Sequence, residues 1–202
     1  MAVALMIGAT AFADEGMWMI QDINEALEKN MRARGLNLAA NEIYNDEAPG
    51  TAVSDAVVSI GFYCTGSVIS DQGLIITNHH CAYSNIAKLS TPEHNYLEDG
   101  FWAMTSEEEI PIEGETVFFF FFFFDVTEEV KGIMKEFRAS GKPFGIRKIC
   151  AIMEKRYKEA TGMECILSSM WAAEKYYMSV YKTYTDLRLV AAPPQSIGYF
   201  GG

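Results

Sequence analysis

The sequence predicts a mixed β/α fold, a portion of an antiparallel β-barrel with flanking helices. Three observations predict it. A run of β-formers from Ala56 to Thr77 is interrupted by the turn signal Asp71-Gln72-Gly73. Stretches on either side of that run carry helical spacing, caps and stops. Half of the 202 residues are hydrophobic, enough to build the core of one ordinary domain or part of a larger one.

The elements follow in chain order. Residues 1–13 are small, apolar and uncharged, and end in Ala11-Phe12-Ala13 before the polar Asp14-Glu15-Gly16. This reads as the apolar region and cleavage site of a secretory signal, lacking its basic start; the mature chain then begins near Asp14. The stretch is too short to span a bilayer. Asp22 to Arg34 reads as a helix with Ile23, Ala26, Leu27, Asn30 and Met31 on one stripe and Gly35 as its stop. Pro49-Gly50 marks a loop. Ala56 to Ser70 reads as one strand and Leu74 to Thr77 as a second, giving a single hairpin across Asp71-Gln72-Gly73. Asn78-His79-His80-Cys81 stands where the second strand ends.

Residues 82–116 are mixed and acidic, with few periodic signals. Phe118 to Phe124 is an unbroken run of seven phenylalanines. It lacks the polar half of an antiparallel barrel strand and would need cover on both faces. It reads as a sequence error or a low-complexity replacement of a mixed strand, in preference to a membrane or partner contact. Asp125-Val126-Thr127-Glu128 resembles a capping box opening a helix to about Arg138, and Gly141-Lys142-Pro143 breaks it. A further helix is expected from Arg147 to Glu159. Ser169 to Tyr184 reads as a third, with Tyr176, Tyr177, Val180, Tyr181 and Tyr184 on one face as core packing rather than a ligand platform. Leu187 to Ala192 reads as a strand stopped by Pro193-Pro194.

The formal net charge of −11 excludes a nucleic-acid binder, since no basic stripe offsets the acid. The four cysteines, Cys64, Cys81, Cys150 and Cys165, suit an exported protein holding two disulfides. Three pairings are open. Sequential pairing would close two short loops, each contributing about 3 kcal/mol on the loop-entropy account. Zinc is the competing use, but there is no CxxC, and the nearest histidines are adjacent to each other.

The stretch from Cys64-Thr-Gly-Ser67 to Thr77-Asn-His-His-Cys81 carries chemistry. Two cysteines bracket a hairpin, and a histidine precedes the second. In chymotrypsin-like peptidases the general base lies at such a place, after a strand and beside a bridged cysteine. A base has to reach the serine hydroxyl without swinging freely. Imidazole chemistry suits proton exchange near neutral pH. By position His80 is the catalytic candidate and His79 its neighbour; the competing reading is two packed or surface histidines. His94, after Pro92, is separate and expected to be exposed.

With these motifs the chain resembles the S46 dipeptidyl-peptidases, of the dipeptidyl-peptidase 7/11 type. Supporting matches are Asp14-Glu-Gly-Met-Trp18, Ser90-Thr-Pro-Glu93, Glu174-Lys-Tyr-Tyr177, Ser196-Ile-Gly198 and Phe200-Gly-Gly202. The resemblance implies an incomplete double-barrel peptidase: the N-terminal part of the catalytic domain, residues 14–202, with a large helical domain inserted farther along. It implies removal of dipeptides from peptides with a free N-terminus, in the periplasm or at the cell surface. It implies neither metal nor organic cofactor, and a homodimer when full length. It also places the family's catalytic aspartate and serine beyond Gly202, so the 202 residues alone are expected to be inactive. The pocket for the penultimate residue belongs largely to the C-terminal part, so acidic versus hydrophobic preference is not readable here. The alternatives are a non-catalytic secreted binding module with a peptidase-like barrel, and a disulfide-stapled structural protein.

Overall fold

A computed structural model describes residues 19–48, 50–141 and 143–199. The expected signal, residues 1–13, lies outside them. The helix read at 22–34 is present as α1, Glu25–Ala33, after a short 3-10 turn. Asn24 caps it by accepting from the Leu27 N–H at 3.0 Å, which satisfies one of the amides a helix start leaves unpaired. A single turn, α2, covers Ala40–Ile43.

The strand expected from Ala56 to Ser70 is two strands, β1 (Val57–Ile60) and β2 (Cys64–Val68). Gly61 and Phe62 both take φ near +60°, and the Tyr63 N–H closes onto the Ile60 carbonyl, so the chain reverses there. Two consecutive left-handed residues form the tight turn that suits strand twist. The second reversal, at Asp71-Gln72-Gly73, leads into β3 (Ile75–Thr77) as expected. Residues 82–116 are more regular than their sequence suggested: α3 (His79–Leu89) runs into them, and α4 (Tyr96–Asp99), β4 (Phe101–Trp102) and β5 (Ile110–Pro111) follow.

The phenylalanine run is a strand, β6 (Val117–Asp125), paired with β1 on one side. Helices α5 (Thr127–Ala139) and α6 (Ile146–Thr161) follow close to their expected positions. Asp125 starts α5 by accepting from the Thr127 N–H at 2.9 Å. The helix expected from Ser169 to Tyr184 is instead a hairpin, β7 (Glu164–Met170) and β8 (Lys175–Tyr184). In β8, Tyr176, Met178 and Val180 are buried while their neighbours are less so, the period of two that a half-covered strand requires. The strand read at 187–192 is two short pieces, β9 (Arg188–Leu189) and β10 (Ala191–Ala192), which pair with β5 and β4. The one-turn α7 spans Gln195–Gly198.

The main sheet is antiparallel, in the order β3-β2-β1-β6-β8-β7. Its outer strands β3 and β7 do not pair among the described residues, so the expected barrel portion is an open sheet with flanking helices. A bulge between Phe120 and Phe122 reverses the facing of β6. Before it, Phe119 packs with Val58, Ile60 and Val117; after it, Phe122 joins the core of α5 and α6. On the opposite face Phe118 stacks on Phe62 at 3.9 Å, and Phe120 meets Tyr44 and Tyr181. The bulge thus puts Phe119 and Phe122 on the same face of the sheet, while Phe124 at the end of the run stays exposed.

Candidate active site

Two hydrogen-bonded strands and one helix build the site. Strands β2 and β3 pair from Val68↔Ile75 to Gly66↔Thr77, and the Thr77 hydroxyl donates to the Thr65 carbonyl at 2.8 Å. Asn78 is extended, and its carbonyl accepts from the Cys81 N–H at 3.0 Å as α3 begins. His79, His80 and Cys81 are therefore the first three residues of a helix, directly after a strand. Cys81 is 8% exposed and is bonded to Cys64, the first residue of β2, with the Cα atoms 5.9 Å apart. The two sulfurs lie within 4.8 Å of the nearest His80 nitrogen. Because they are bonded to each other, the three side chains are a braced histidine rather than a metal-ligand set.

The two neighbouring histidines differ sharply. His80 is exposed. His79 turns inward: both its ring nitrogens are buried and have no hydrogen-bond partner among the described residues. It packs edge-on against Tyr83 and against Gly198 of α7, where an added Cβ would fall 2.3 Å from His79 Cδ2. His94 is exposed and stacks on Tyr96, on the loop beyond α3.

The second expected disulfide is not formed; Cys150 and Cys165 are separate thiols. Helix rise explains why. Cys165 Sγ is 3.5 Å from Thr161 Oγ1 at the C-terminal end of α6, whereas Cys150 is eleven residues back along the helix (161 − 150). At 1.5 Å per residue that is about 16 Å, against the roughly 7 Å limit for bridged Cα atoms. Strand β7 then runs back along α6, its Leu167 N–H donating to Glu154 Oε1 at 3.0 Å, with Cys165 at the far end of the helix from Cys150. Desolvation, and then the nearby Glu154, push the Cys150 thiol above its ordinary range.

A polar cluster beside α3 carried no sequence signal. Glu115 Oε2 accepts from Tyr63 Oη at 2.5 Å and from Asn85 Nδ2 at 2.7 Å, and Oε1 accepts from the Thr116 N–H at 3.2 Å. Desolvation alone would raise the Glu115 carboxyl; the Tyr63, Asn85 and Thr116 donors and the Lys88 charge outweigh it and hold the group below its ordinary range. Partial desolvation, and then the Glu115 carboxylate, push the Tyr63 phenol up to about 12.

The peptidase S46 family model matches residues 13–202. Dipeptidyl-peptidase 7 of Porphyromonas gingivalis is 38% identical over 208 residues, spanning 100% of this chain and 28% of its own length. The Asp/Glu-specific dipeptidyl-peptidase of the same organism is 40% identical, across 98% of this chain and 28% of its own. A crystal structure of Porphyromonas endodontalis DPP11 in complex with the dipeptide Arg-Glu superposes with a TM-score of 0.82 at 38% identity, over 94% of this chain and 28% of that one. The chain thus spans a little over a quarter of the length of these relatives. The match takes in the β2–β3 hairpin, its disulfide and the start of α3, and on it the chain belongs to the peptidase S46 family.

Proposed function

We propose that the whole protein is a serine-type dipeptidyl-peptidase that releases dipeptides from peptides with a free N-terminus. His80 is its general base. The carrying observation is the placement of His80: exposed, first turn of a helix, beside a disulfide that ties that turn to the neighbouring strand. Family membership and relatives named as dipeptidyl-peptidases support the substrate class. So does the dipeptide bound in the DPP11 structure.

In this reading His80 takes the proton of a serine hydroxyl as the oxygen attacks the carbonyl of the second residue. It then gives that proton to the leaving amine, and repeats the cycle with water to free the dipeptide. The serine and an orienting acid come from the part of the protein that corresponds to the remainder of the relatives' length. The disulfide suits an exported enzyme, periplasmic or at the cell surface. The test is His80→Ala in the full-length protein, assayed with dipeptidyl substrates carrying acidic or hydrophobic penultimate residues. Loss of a triad base is expected to lower kcat by about 10⁴-fold or more without altering the fold. Activity within tenfold of the parent would reject His80 as the base.

A further inference from the structure

Helix α3 has one covalent tether, the Cys64–Cys81 bond. Ile86, Ala82 and Leu89 of the helix also pack with Leu189 and Ala192, but apolar contact is non-directional and leaves small rotations of the first turn open. For a catalytic base that matters, because a misplacement of about 1 Å can cost on the order of 10²-fold in rate. A second tether lies one turn along. Asn85 follows Cys81 by four residues, which puts both on the same face of the helix, about 6 Å apart along its axis. On the strand side Tyr63 directly precedes Cys64. Both reach the same carboxylate oxygen of Glu115.

The two tethers therefore join the same two elements in parallel, Tyr63-Cys64 on the sheet and Cys81…Asn85 on the helix. One is covalent and one is a hydrogen-bonded bridge. Two fixed points on one face define the tilt and rotation of a helix where one point does not. The β1–β2 turn is shaped to make the bridge possible. Gly61 takes φ +57°, and a Cβ there would fall 2.2 Å from Tyr63 Cε1 and 3.1 Å from Glu115 Oε1. The Glu115 carboxyl is held below its ordinary range, so its bonds to Tyr63 and Asn85 are charge-assisted at neutral pH.

We propose that Glu115 is a positioning residue for His80: by bridging Tyr63 and Asn85 it fixes the rotation of α3 that the disulfide alone leaves free. The proposal rests on His80 being the general base. It requires Glu115 to act on turnover rather than on substrate binding, since its bonds run to Tyr63 and Asn85 and reach His80 only through α3.

The test uses the full-length protein with Asn85→Ala, Tyr63→Phe, the double variant, Glu115→Gln and Glu115→Ala, beside His80→Ala. Asn85→Ala and Tyr63→Phe are each expected to lower kcat about 5- to 50-fold with KM within about twofold. Glu115→Gln keeps an acceptor oxygen and is expected to recover part of the activity that Glu115→Ala loses. The double variant is expected to fall no lower than Glu115→Ala, because the three side chains act as one unit. Should Glu115→Ala fail to fold, the two partner variants carry the test, since each removes few atoms from a side chain in contact with solvent. Unchanged kcat in those variants, with or without a lower melting temperature, overturns the proposal while His80→Ala is inactive. An active His80→Ala overturns the reading of His80 and the proposal with it.

Discussion

In the half of the sheet formed by β6, β7 and β8, helices α5 and α6 bury Val130, Ile149, Met153, Met178 and Val180 completely. In the half formed by β1, β2 and β3, the buried cluster is Val58 and Ile60 with Val117 from the start of β6, and Ile69, Leu74 and Ile76 remain exposed. The first half is held by close packing and contains two unpaired cysteines; the second by a disulfide and a carboxylate bridge. On the proposed role of His80, the difference follows from what each half carries. A general base has to face solvent to reach a substrate, so His80 stays open while Ile86, farther along α3, packs with Leu189 and Ala192. At the first turn of α3 directional bonds add to the rigidity that packing supplies elsewhere. Rigidity and burial are thus separable, and the site sits where they part.

Three substitutions in the full-length protein sharpen this contrast. Met178→Ala, at 0% exposure in the packed half, is expected to cost about 2–5 kcal/mol of stability by denaturant titration. The kcat of the folded fraction should be unchanged. Replacing Cys64 and Cys81 together by serine opens a link across 17 residues and is expected to cost about 3 kcal/mol. Here kcat should fall as well, because the freed turn carries His80. Equal effects of the two changes on kcat would erase the distinction between the halves. Gly198→Ala drives a methyl into the His79 ring and is expected to cost about 1–3 kcal/mol, with a loss of activity through the adjacent His80. His79→Ala in the same chain should relieve the clash and recover stability.

The sequence told the two halves apart unevenly. The Asp71-Gln72-Gly73 hairpin, the helix after Asp125, the helix near Arg147 and the position of His80 after a strand and beside a bridged cysteine were readable because caps, turn residues and cysteine spacing are local signals. The β7–β8 hairpin was not. Its turn, Trp171-Ala172-Ala173-Glu174, holds three non-glycine residues at positive φ and no glycine, proline or asparagine to announce a reversal. Tyr176, Tyr177, Val180, Tyr181 and Tyr184 also fit helical spacing, and only the alternating burial of Tyr176, Met178 and Val180 reveals a strand. Treating Cys150 and Cys165 as a pair failed for a related reason. Close spacing in sequence says nothing about a helix that carries one of them away from the other. The Glu115 bridge was invisible because its three members are 22 and 30 residues apart along the chain (85 − 63 and 115 − 85). The phenylalanine run lacks the polar half of a barrel strand, so its sequence carries no sign of the bulge after Phe120 that turns Phe119 and Phe122 to one face.

The placement of His80 as a braced, solvent-facing base is most directly tested by affinity labelling. The full-length protein would be treated with dipeptidyl chloromethyl ketones bearing a free α-amino group and either an acidic or a hydrophobic second residue, and the alkylated histidine located by peptide mass spectrometry. His94 is an internal control, since it too is exposed. The account predicts an adduct on His80, prevented by substrate and absent from His94. Alkylation of His79 or His94 with His80 unmodified, while activity is lost, would contradict it.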